Sequence, residues 1–138
     1  MWACLAMLVV LTVVPERAAG EHEVFYRYTV LGYMKDGAGR PAVGQTVELV
    51  RDKTGFSYLA ETDEQGLFLI IARLGDESAG ERLTLRASGM TLSLVARFEI
   101  ANHVDERGTR VDVEGRRFVE RPAWFRSTLV NLVGDKKR

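Results

Sequence analysis

Few residues in this chain of 138 are of the kinds that carry out catalysis. It has two histidines, His22 and His103, and a single cysteine, Cys4. A nucleophile needs an oriented base beside it, and nothing in the spacing nominates such a pair. No Gly-x-Ser-x-Gly elbow, His-Glu-x-x-His helix, phosphate loop or Cys-x-x-Cys pair is present. Asp63-Glu64 and Asp105-Glu106 offer the clustered oxygens that calcium takes, yet acidic residues at such positions are ordinary turn formers. His103, next to Asn102, reads as a surface or loop histidine. His22 has one sharper use: a chain cut after Ala19 would begin Gly20-Glu21-His22, and an amine with a third-position histidine chelates copper(II). A cut after Gly20 fits the small-residue rule better. These residues call for no catalytic group, no metal and no cofactor.

The residues that stand out for recognition lie near the C-terminus. Pro122 is a good first helical residue, and Phe125, Leu129, Leu132 and Val133 recur at i, i+4, i+7 and i+8 before Gly134. That spacing predicts a short amphipathic helix over 122–133, ending in the basic tip Lys136-Lys137-Arg138. A helix this short is marginal alone and needs a surface to pack on. It either docks on its own domain or, with Trp124, meets a partner protein or an anionic membrane surface. Arg116, Arg117, Arg121 and Arg126 make the region locally positive. Trp124, Phe125, Arg126, Leu129 and Leu132 are the candidate partner-binding residues.

Overall charge excludes one class of partner. Lys plus Arg and Asp plus Glu are 19 each, so no basic field exists to hold nucleic acid. Met1 to Val14 is almost wholly apolar, Pro15 ends the run, and Ala18-Ala19-Gly20 supplies small residues. This is the pattern of a secretory signal peptide over 1–20, although the usual positive start is missing. The run is short for a membrane span. Its removal takes one Glu, one Arg and Cys4, leaving a neutral, cysteine-free exported domain that must be held by its core alone. The expected location is extracytoplasmic, periplasmic or secreted.

The elements that would position any site read as strands. Val24 to Tyr33 is aromatic and β-branched. Val43 to Val50, Arg82 to Ala87 and Thr91 to Ile100 alternate apolar and polar residues, the period of half-buried strands. Phe56 to Thr62, Leu67 to Ile71 and Thr109 to Glu114 complete seven, separated by turn residues at roughly ten-residue intervals. Thr62-Asp63-Glu64-Gln65-Gly66 is the tightest corner, running straight into the apolar Leu67 to Ile71. No long helical periodicity interrupts the strands, which argues against a parallel α/β sheet. The expectation is an all-β, seven-stranded antiparallel Greek-key β-sandwich over 21–115, with a basic, amphipathic tail over 116–138.

Gly32-x-x-x-Asp36-x-x-Gly39-x-Pro41-x-x-Gly44-x-x-Val47-x-Leu49, followed by Thr62-Asp63-x-x-Gly66-x-Phe68, resembles the carboxypeptidase regulatory-like domain, of the transthyretin-like sandwiches. The resemblance spans residues 24 to 115 and implies a non-catalytic exported module that binds or braces a cell-envelope protein or glycan. Enzymes also use related sandwiches. Transthyretin-like hydrolases carry pocket histidines, an arginine and a Tyr-Arg-Gly-Ser tail, whereas this chain ends Gly134-Asp135-Lys136-Lys137-Arg138. Intradiol dioxygenases hold iron with two tyrosines and two histidines, a set that Tyr26, Tyr28, Tyr33 and Tyr58 do not suggest. The alternative reading is a small transthyretin-like hydrolase or metal-binding protein using His22 or His103.

Overall fold

The computed structural model describes residues 24–136. The expected signal segment and His22 lie outside them. The described residues form eight strands: β1 (Tyr26–Lys35), β2 (Thr46–Arg51), β3 (Phe56–Glu61), β4 (Leu67–Leu74), β5 (Arg82–Ala87), β6 (Met90–Val95), β7 (Arg107–Glu114) and β8 (Arg117–Glu120). A turn of 3-10 helix at Pro122–Trp124 leads into a helix, α1 (Phe125–Lys136). The strands form two four-stranded sheets, ordered β4-β1-β7-β8 and β3-β2-β5-β6.

One core joins the sheets. Val30 and Met34 of β1, Phe68 and Ile70 of β4, and Val111 and Val113 of β7 pack with Val47 and Leu49 of β2 and Leu83 and Leu85 of β5. The cause is alternation: in β4 and β5 every second residue is buried, as a strand with one face on a core requires. The Thr62–Gly66 corner is pinned from within. Asp63 Oδ1 accepts the N–H groups of Gln65 and Leu67 at 2.8 and 2.9 Å. Thr62 Oγ1 accepts the Gln45 N–H and donates to the Ala42 carbonyl.

The structure departs from the sequence reading in several places. The β1–β7 pair is parallel, while the other strand pairs are antiparallel. β7 arrives from the opposite sheet through the connection after β6, so no hairpin forces it to run against β1. That connection begins at Ala96, and the strand expected through Ile100 stops at Val95. Finally, Arg117–Glu120, read as the start of a basic tail, is β8. Glu114 and Arg117 pair directly, closing a two-residue hairpin in which Gly115 takes φ 65°, a conformation that glycine reaches without steric cost.

The helix also shifts along the sequence. It starts at Phe125 and continues through Gly134 to Lys136, with Pro122 placed in the preceding 3-10 turn. Glycine in a helix costs stability relative to alanine but does not by itself stop one. Phe125 and Thr128 are buried, Leu129 and Leu132 are half-buried, and Val133 points outward. The helix therefore docks on its own domain. It lies on the outer face of the β4-β1-β7-β8 sheet, where the Phe125 ring sits over Gly108. This explains why Thr29 and Leu31, which face away from the core, are buried too.

Candidate functional site

Alternation on two strands assembles the site. On the outer face of the parallel β1–β7 pair, Tyr33 and Lys35 of β1 stand beside Arg110, Asp112 and Glu114 of β7; Leu31 is paired with Arg110 and Lys35 with Glu114. Arg121, just past β8, and Trp124, in the 3-10 turn, close the far side. Together these side chains line a cleft of about 460 Å³ between the sheet face and the start of α1.

Asp112 is the floor of the cleft and is 3% exposed. Its carboxylate accepts the Tyr33 N–H at 3.0 Å, two nitrogens of Arg110, and Nη1 of Arg121. Burial alone would push the Asp112 carboxyl up, but the Arg110 bonds, the Tyr33 N–H and Arg121 together hold it below the usual carboxylate range. Arg110 also donates to Thr128 Oγ1 at 2.9 Å, which fastens α1 to the sheet. Arg121 donates to Glu114 at 3.0 Å, and Glu114 and then Asp112 hold its guanidinium above its ordinary value.

Aromatic rings interleave with these cations. The Arg110 guanidinium stacks 5.1 Å from Tyr33 and 5.3 Å from Trp124, and Arg121 lies 5.1 Å from Trp124. Each such stack is favourable and fixes the planar group. Trp124 is flanked by both guanidiniums while 53% of its surface stays exposed. A half-exposed indole with one side packed on such a polar network offers a contact surface that loses less side-chain entropy on binding than a free one.

The sequence-predicted residues fall into three groups. Trp124 lines the cleft. Phe125 is buried against Gly108, and Leu129 and Leu132 lie on the half-buried side of α1, so these three serve helix docking. Arg126 sits apart, 3.8 Å from Asp105, beside a different cleft of about 290 Å³ under the β6–β7 connection. Of the remaining cleft residues, Arg121 stands out in the sequence only as part of the positive tail, and Tyr33, Lys35, Arg110, Asp112 and Glu114 are not candidates there. Their signal was present in the strand Thr109 to Glu114, where Arg110, Asp112 and Glu114 alternate with Val111 and Val113. A solvated strand face has the same pattern.

His103 is not isolated. Its Nε2 lies 2.9 Å from Asp76 Oδ2, and its ring stacks on Tyr26 with centroids 4.5 Å apart. Arg107, buried, bonds the other oxygen of Asp76 at 3.1 Å and the carbonyls of Glu99, Ile100 and Asn102, and stacks on Phe98 and Tyr26. Desolvation pushes Asp76 up, but His103 and Arg107 outweigh it and hold the carboxyl low. The acidic pairs are divided: Asp105 meets Asn102, Glu106 meets Arg27, and Asp63 caps its own turn. Among the described residues no three His, Cys, Asp or Glu groups are placed to hold a metal ion, and no helix is long and apolar enough to cross a membrane.

Neither a scan against protein-family models nor a search of curated proteins returns a match. The functional reading accordingly rests on the geometry of the cleft.

Proposed function

We propose that the chain is a non-catalytic extracytoplasmic module that binds or braces a cell-envelope protein or glycan through the Trp124 cleft. The observation that carries this reading is the exposure of Trp124 above the buried Asp112 and its half-buried partners Arg110 and Arg121. The apolar side of α1 is engaged by its own sheet, so the cleft, rather than the helix face, is the recognition surface. Membrane contact through the tail is correspondingly the weaker expectation. Family membership belongs to the same proposal: a carboxypeptidase regulatory-like, transthyretin-like sandwich with seven Greek-key strands, to which β8 is an addition. The glycine-punctuated motifs and the two four-stranded sheets around one core support it. The apolar N-terminal run supports export.

The test is capture from the native envelope. The wild-type chain should co-purify with a defined envelope component, and Trp124→Ala should lose it while keeping its circular dichroism spectrum. Undiminished capture by Trp124→Ala would exclude the cleft.

One observation favours the alternative of a small transthyretin-like hydrolase: His103, Asp76 and Arg107 meet at a common carboxylate. Against it, Arg107 is committed to three backbone carbonyls that tie down the β6–β7 connection. Hydrolysis of a small cyclic amide or ester by the wild type, abolished in His103→Gln, would reinstate it.

A further inference from the structure

The Trp124 cleft does not stop at the helix. It adjoins a second cleft of about 360 Å³ that shares Lys35 and Glu114 and runs past Gly37, Gly39 and Gly115 to Arg117. Resting on the reading of this cleft as the recognition site, we propose that the two adjoining clefts bind an acidic oligosaccharide, a chain of uronate-type rings. One ring stacks on Trp124, and a sugar carboxylate sits between Lys35 and Arg121.

Uncommitted donors set the sign of the ligand's charge. The acidic groups of the groove are already engaged: Asp112 by Arg110 and Arg121, Glu114 by Arg121 and Arg117, and Asp36 by Arg40 and its own loop N–H groups. Lys35 has no ion-pair partner among the described residues. Arg121 makes both of its ion-pair bonds through Nη1, leaving Nε and Nη2 without a partner among them. A lysine and an arginine edge left over in a cleft suit a carboxylate, the arginine supplying paired donors and the lysine a point charge.

The position of the groove selects a saccharide. Tyr33, Lys35, Arg110, Asp112 and Glu114 stand on a sheet face, where strand backbones are already bonded to their neighbours. An extended peptide laid across Tyr33, Arg110 and Asp112 would find side chains but no open backbone edge for its own amides, which strand addition needs; the nearest open edge is that of β8. Sugar hydroxyls bond to side chains, and the C–H face of a pyranose ring lies flat on an indole. Two clefts that share Lys35 and Glu114 give room for a short chain of rings rather than one.

The experiment uses the full chain carrying Trp2→Phe, in which Trp124 is the only indole. Its fluorescence is titrated with an oligogalacturonate, with the neutral oligogalactose counterpart and with polyglutamate. Oligogalacturonate should change the Trp124 signal, bind more weakly as salt rises, and lose about tenfold in affinity in Lys35→Ala, the value of one charge-assisted hydrogen bond. Lys35 is exposed, so this variant keeps its core. Equal binding of the neutral oligosaccharide, or of polyglutamate, would overturn the proposal, as would no binding of either saccharide. In that last case, continued capture of an envelope protein that Trp124→Ala abolishes would leave the recognition reading standing.

Discussion

At the scale of single residues, Asp112 is the group on which the site depends. It is a carboxylate at 3% exposure held by two arginines and a backbone N–H. Asp112→Ala removes the charge-assisted hydrogen bonds of two half-buried arginines. It should therefore lower the unfolding free energy by about 1–3 kcal/mol, measured by urea denaturation, and should loosen Trp124 through Arg110 and Arg121. A loss within experimental error would mean that the network contributes geometry and no stability. The same carboxylates set the acid response. Asp112, Asp76 and Glu81 are all held low: Glu81 by Arg51 first, the two aspartates by their arginine, histidine and amide donors against an opposing desolvation. A depressed carboxyl contributes stability that is complete above its unfolded pKa, about 4, and disappears as pH falls through the folded value. The melting temperature should be insensitive to these groups above about pH 5 and fall steeply below about pH 4. A sharp loss well above pH 5 would contradict this assignment to the carboxylates.

At the scale of elements, the junction of α1 with β7 is the decisive packing event. A Cβ at Gly108 would lie 2.0 Å from the Thr29 carbonyl oxygen and 2.6 Å from the Phe125 ring. Gly108→Ala must displace the parallel partner strand or the helix, at a cost of about 1–3 kcal/mol, and should speed hydrogen exchange of the α1 amides. Phe125→Ala, which removes the ring itself, should cost about 3–5 kcal/mol. Truncation before residue 120 would likewise uncover Thr29 and Leu31, so loss of the tail is a stability change before it is a binding change. Much of this level was legible in the sequence. Alternation placed Val47, Leu49, Leu83 and Leu85 inward, and the Asp63 corner needed only local turn chemistry. β8 was not legible, because its four residues carry two charges and pairing with β7 depends on the Gly115 hairpin. The parallel β1–β7 pair depends on contacts between distant segments, which no local pattern encodes. For the site, Trp124 was visible as an aromatic beside a helix start. Its partners were not, because Arg110, Asp112 and Glu114 look like any solvated strand face until α1 covers that face.

At the scale of the whole molecule, a neutral chain has arranged its charges unevenly. One end ties the β6–β7 connection down through Arg107, Asp76 and His103. One face carries the groove, where lysine and arginine donors are left over beside a half-exposed indole. The central claim is that recognition happens in this groove and not on the solvent side of α1, where Val130 is 67% exposed. A photo-reactive phenylalanine analogue placed at position 124, and separately at position 130, in the full chain in intact cells tests it directly. Irradiation should yield a discrete envelope adduct from position 124 and none from position 130. An adduct from position 130 with none from position 124 would contradict the account.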